Sequence, residues 1–182
     1  MPPRLDLEPY GRVALVTFAA ERDQNGLGTL ATQRFAEELL ASQSHVELLE
    51  LGPADSSLRA LAASGDAARL VQALGREKNV PAVFLGQLSL SDVKPRGRLS
   101  ASSGLNVRAS VAAELTVRLL STSTGGTLWR SSAAASGTVG RVSISERAPA
   151  IAMRDPDEAY GEVVNQLVRG VTRDLRPTWV KQ

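Results

Sequence analysis

From Leu105 to Leu119 every odd position is apolar (Leu105, Val107, Ala109, Val111, Ala113, Leu115, Val117, Leu119), while Asn106, Arg108, Ser110, Glu114, Thr116 and Arg118 fall between them. A period of two sustained this long excludes a helix and gives a strand one apolar face and one wet face. Such a strand belongs to an antiparallel arrangement, because strands of parallel sheets are buried on both faces. Thr124-Gly125-Gly126 tolerates positive φ, so the chain is expected to turn there and return as a strand over 127 to 138.

The first half is patterned differently. Arg12-Val13-Ala14-Leu15-Val16-Thr17-Phe18 reads as a buried strand, and Leu27, Ala31, Phe35 and Leu39 recur four apart as one face of an amphipathic helix. Val46 to Leu51 is a second strand, closed by Gly52-Pro53. Asp66 is placed to cap a helix carrying Ala67, Leu70, Val71 and Leu74 and ending near Gly75, after which Pro81 to Leu90 gives a third strand. Residues 136 to 154 mix Gly, Ser, Arg and Pro and read as a partly extended connection. In Asp155-Pro156-Asp157-Glu158 an Asp cap, a Pro at the first helical position and a Glu at the third start a helix. Its apolar stripe is Tyr160, Val163, Val164, Leu167, Val168, Val171 and Leu175, and Pro177 stops it.

The fold expected is therefore α/β: a three-layer domain with a mixed β-sheet, β-α-β-α-β followed by a long β-hairpin and a C-terminal helix. At 182 residues the chain makes one domain, with its core over about 11–176 and tails at 1–10 and 177–182.

Composition removes most chemistry. Without cysteine there is no disulfide, thiolate zinc site or cysteine nucleophile, and the single histidine, His45, has no partner residues in a metal or triad spacing. No catalytic, cofactor or metal residue is assigned, and the chain is not expected to be an enzyme. A net charge of +2 is too weak a field for nucleic acid, and aromatics at 4% leave few platforms for bases. No apolar run approaches the ~20 residues of a membrane helix, and Met1 to Asp6 has no signal-peptide core. Residues 92 to 104 are too polar, and the alternating piece at Val142 and Ile144 too short, for a spanning β-hairpin, so no membrane-spanning segment is expected.

Two motifs remain. Gly26-Leu27-Gly28-Thr29-Leu30-Ala31, with Glu50 at the end of the next strand, imitates a dinucleotide fingerprint and makes a nucleotide-binding enzyme or sensor the alternative reading. The fingerprint needs its first glycine directly after the strand, whereas seven residues separate Phe18 from Gly26. Lys94, Arg96, Arg98 and Arg108 form the local basic cluster and are the candidate partner-binding residues.

Taken together, Val13 to Phe18, Leu27 to Leu40, Ala73-Leu74-Gly75 with Ala82 to Gly86, and Leu115 to Leu120 leading to Thr124-Gly125-Gly126-Thr127-Leu128-Trp129 resemble the CsgG-like and TolB amino-terminal-like domains of bacterial envelope proteins. That superfamily includes lipoproteins that activate penicillin-binding proteins. The resemblance covers roughly 12 to 131, and the closing helix also fits. It implies a non-catalytic adaptor or regulatory module, periplasmic or outer-membrane-associated, whose partner is another envelope protein. The chain departs from the pattern in having no lipobox cysteine, a longer region at 54 to 66, and no sign of the two pore-forming hairpins of the curli channel.

Overall fold

The computed structural model describes residues 3–20, 26–52, 67–91, 94–100, 104–145, 148–153 and 156–177. Its strands are β1 (Arg12–Val16), β2 (Ala19–Ala20), β3 (Glu47–Leu51), β4 (Ala82–Leu90), β5 (Lys94–Ser100), β6 (Gly104–Ser121), β7 (Thr127–Ser145) and β8 (Ala148–Met153). The helices are α1 (Leu27–Ser42), α2 (Ala67–Lys78) and α3 (Pro156–Val171). One mixed sheet runs β3-β1-β4-β6-β7-β8, with β2 beside β4 and β5 beside β6. β1 pairs in parallel with β3 and β4, and every pairing from β4–β6 onward is antiparallel. This is the three-layer mixed α/β fold expected from the alternation.

Strand pleating divides the interior in two. Val13 and Leu15 of β1, Ala82, Phe84 and Leu88 of β4, and the odd positions 113–119 of β6 face α1 and α3. Ala14, Leu51, Val83 and Leu120 face α2 through Leu70, Val71 and Leu74. Every phenylalanine in the chain joins one aromatic file with Trp129. Centroids lie 5.3 Å apart for Phe18–Phe35, 5.3 Å for Phe35–Phe84, and 6.1 Å for Phe84–Trp129 at an edge-on 86°. Offsets of this kind satisfy the ring quadrupoles and lock α1, β4 and β7 to one another.

Several boundaries move relative to the sequence reading. β7 continues to Ser145 and is followed by β8, so the stretch read as a connection is mostly sheet. α2 passes through Gly75 and ends at Lys78, and Asn79 takes the left-handed conformation at φ 52° that often follows a helix. Gly75 is there for close approach: Thr122 lies against its Cα, with the Thr122 hydroxyl donating to the Val80 carbonyl at 2.7 Å. The core also starts before residue 11. Leu7 is fully buried. Its N–H donates to Oε1 of Gln43 at 3.2 Å, while Gln43 Nε2 donates to the carbonyls of Leu5 and Leu175 at 3.1 and 2.8 Å. The caps expected at Asp66 and Asp155 lie outside the described residues, but Pro156 does open α3.

Gly86 sits under the Phe18 ring with no room for a Cβ, whereas Gly161 in α3 has nothing within 4 Å of that position. Gly86→Ala is therefore expected to destabilise the protein by about 1–3 kcal/mol through overpacking. Gly161→Ala is expected to stabilise it by about 0.5–1 kcal/mol through helix propensity. Urea unfolding of the two variants checks the opposite signs.

Candidate functional site: a cationic face on a sheet extension

Helix cover ends partway along the sheet. α3 packs on β7 and β6, whereas β5 contacts β6 alone and β8 contacts β7 alone, apart from isolated contacts. Among the described residues β5–β6–β7–β8 thus form a four-stranded antiparallel extension, with β5 and β8 as its edges.

Register collects the sequence-assigned cations on one face of this extension. Lys94, Arg96 and Arg98 alternate along β5, and Arg96 pairs directly with Arg108 of β6. Arg108 in turn pairs with Arg141 of β7, so three arginines stand in one row across three strands. Lys94 shares its row with Ser110 and Thr138, and Arg98 shares its row with Asn106 and Ser143. The basic cluster lies on strands β5 and β6, and by register all four residues share a face. Asp92 and Val93, just before β5, lie outside the described residues.

Sequence reasoning missed Arg141 for a physical reason. An extra residue at Val139 shifts the β6–β7 register between Ala109 and Ser110, and only that shift brings Arg141 opposite Arg108. It also missed a second like-charge pair on the same face, Arg118 opposite Arg130. These two lie six residues either side of Thr124, so the symmetry of the hairpin was the available signal. Arg118 is half-buried and Arg130 exposed, and among the described residues neither has an ion-pair partner. Both line a cavity of about 440 Å³ with Thr17, Gln87, Thr116 and the start of α2 at Ala67. Between this pair and the Arg108 row the face carries exposed Ala112, Glu114, Ser132, Ala134, Ser136 and Thr138.

The opposite face of the extension is apolar by position. Leu99, Leu105, Val107, Val142, Ile144 and Ile151 fall in register on it.

The glycines of the alternative reading have local roles. Gly26 adopts φ 67° immediately before α1, and Gly28 is buried in its first turn. The Gly28 carbonyl accepts the Thr32 hydroxyl at 2.7 Å, and Thr32 Oγ1 accepts the Phe18 N–H at 2.8 Å, which ties the helix start to the end of β1. Residues 21 to 25 lie outside the described residues. His45 is exposed in the turn before β3. Among the described residues no three His, Asp or Glu side chains gather as a metal site, and no helix is long and apolar enough to cross a membrane.

No protein-family profile matches the chain, and no curated protein matches its sequence. Solved structures do resemble it. PelC from Paraburkholderia phytofirmans, a dodecamer, is 16% identical with a TM-score of 0.52, covering 98% of this chain and 94% of that one. A neuraminyllactose-binding hemagglutinin homolog from Helicobacter pylori is 10% identical with a TM-score of 0.52, covering 90% and 82%. Lipoprotein GNA1162 from Neisseria meningitidis is 20% identical with a TM-score of 0.41, covering 70% and 83%. The chain shares the fold of PelC and of the Helicobacter protein, and the structures resembling it include bacterial lipoproteins.

Like charges directly opposite across strands are destabilising. Arg130→Thr, which relieves the Arg118–Arg130 juxtaposition on an exposed strand position, is expected to raise stability by about a few tenths of a kcal/mol at low ionic strength. The gain is expected to fade in molar salt, where charges at this separation are screened. Thermal unfolding at the two salt concentrations checks both halves.

Proposed function

We propose that the chain is a non-catalytic adaptor or regulatory module of the bacterial cell envelope. It is a single domain, periplasmic or outer-membrane-associated, of the kind found in lipoproteins, and it acts by contacting other envelope proteins. The observation that carries this reading is the sheet extension beyond the helices, with a cationic row on one face and an apolar row on the other. Its resemblance to CsgG-like and TolB amino-terminal-like domains supplies the address, and the fold shared with PelC supports it. Lys94, Arg96, Arg98 and Arg108 are the contact residues, and charges of this kind chiefly accelerate encounter with an acidic partner. Capture from the native organism with the full-length protein is expected to retain an envelope partner that is lost when all four are changed to Ala. Association is expected to slow as salt rises. Equal capture by the quadruple variant overturns the surface assignment.

The apolar row favours one addition. PelC is a dodecamer, and a second copy of this chain laid against the row of Leu105, Val107, Val142 and Ile144 would cover a face on which none of the described helices packs. The occupant in this reading is protein and not lipid. Light scattering is expected to find an oligomer that Val107→Asp with Ile144→Asp reduces to the 19.3 kDa monomer. A ring that forms only in detergent, or inserts into vesicles, overturns the non-spanning assignment.

A further inference from the structure

Edge protection explains cations on β5. A charged edge strand carrying a proline resists pairing with foreign strands, and Lys94, Pro95, Arg96 and Arg98 fit that purpose. It does not explain Arg108 and Arg141, because β6 and β7 are interior strands of the extension. Nor does it explain Arg118 opposite Arg130 at the other end of the same face. Two like-charge pairings therefore stand at positions where they weaken the sheet, and among the described residues Arg118 and Arg130 have no ion-pair partner.

Their separation defines the ligand. Arg118 and Arg108 are ten residues apart on β6, about 33 Å along the strand. Between them the wet face is hydroxyl-rich and small: Thr116 and Ser132 share a hydrogen bond at 2.9 Å, and Ala112, Ala134, Ser136 and Thr138 are exposed. Glu114, exposed midway, is the only acid on this stretch of β6 and repels an anion there. No aromatic residue occupies the even positions of β6 between 106 and 118 or of β7 between 130 and 138, so nothing offers a platform for bases. The right-handed twist of the strands turns one cluster relative to the other, so a planar bilayer meets one at a time.

Resting on the adaptor reading above, we infer that this face binds an extended acidic polypeptide segment of the partner. The segment carries carboxylates at both ends, about ten residues apart, and an uncharged middle. Arg118 and Arg130 hold one acidic end in the cavity beside Thr17 and Gln87, and the Arg96–Arg108–Arg141 row takes the other. Guanidinium forks suit carboxylates better than ammonium groups do, which accounts for one Lys among the cations of this face. Simultaneous engagement of both ends multiplies affinity through effective concentration.

The test is fluorescence anisotropy with the full-length chain and a labelled 14-residue peptide, Glu-Glu at each end and ten Ser and Ala residues between. Tight binding at low salt is expected to weaken at least tenfold for Arg118→Ala/Arg130→Ala, and at least tenfold for Arg108→Ala/Arg141→Ala. A peptide acidic at one end only is expected to lose most of the affinity. Placing a Glu at its centre, and shortening the linker to four residues, are each expected to weaken binding of the full peptide. Circular dichroism and the urea midpoint verify that the double variants remain folded. Unchanged binding by the Arg118→Ala/Arg130→Ala variant overturns the inference, as does equal binding of the four-residue-linker peptide. Variant-sensitive binding of polygalacturonate or phosphatidylglycerol vesicles, with the peptide unbound, replaces the polypeptide by another polyanion. An envelope partner captured equally by wild type and the Arg118→Ala/Arg130→Ala variant sinks this inference and leaves the adaptor reading standing. Peptide binding as expected with no envelope partner captured does the reverse.

Discussion

An 18-residue strand cannot be covered by a 16-residue helix. At about 3.3 Å per strand residue β6 runs close to 60 Å, while at 1.5 Å per helical residue α3 reaches about 24 Å. α1 is no longer than α3 and lies beside it, so it widens the cover without lengthening it. The apolar alternation of β6 nevertheless continues from Leu119 to Leu105 without interruption. Among the described residues the sheet therefore divides into a covered body and an extension on which no helix packs.

In the covered body the buried polar residues are committed to structure. Thr32 bridges the Gly28 carbonyl and the Phe18 N–H, Gln43 joins the chain near Leu5 and Leu7 to Leu175, and the Thr172 hydroxyl donates to the Val168 carbonyl. Each such bond offsets the cost of burying its groups and adds specificity to the packing. Glycine serves the same end on the strand side: Gly170 of α3 lies directly over Ala133 of β7, which lets helix and sheet approach closely. Polar chemistry with freedom to engage something else is found on the wet face of β6 and β7, and that is where Arg118, Arg130 and Glu114 stand.

What was legible in the sequence follows from which forces act locally. The odd-position run of β6 and the four-residue spacing of Leu27, Ala31, Phe35 and Leu39 are written in single segments, and the structure places β6 and α1 there. Strands β5 and β8 were not legible, because Lys94 to Ser100 is charged and broken by Pro and Gly, and Ala148 to Met153 is half alanine with a proline, both poor strand formers. Their strand character comes from pairing with β6 and β7, a tertiary effect that overrides propensity. The candidate site was half legible. Its residues on β5 and β6 form a visible charge cluster, whereas Arg141 joins them through a bulge that no local pattern announces.

The two faces of the extension make different physical contributions to any complex it forms. A partner covering the apolar row that register assigns to Val107, Val142 and Ile144 would add a hydrophobic contribution, which is non-directional, grows with area and is indifferent to the partner's sequence. The arginine rows act at longer range and with sign: they speed the approach of acidic surfaces and penalise basic ones. A sheet apolar on both faces would associate without choosing. Alternation along β6 and β7 places both properties on the same strands, so the period of two that shapes the fold also separates adhesion from recognition.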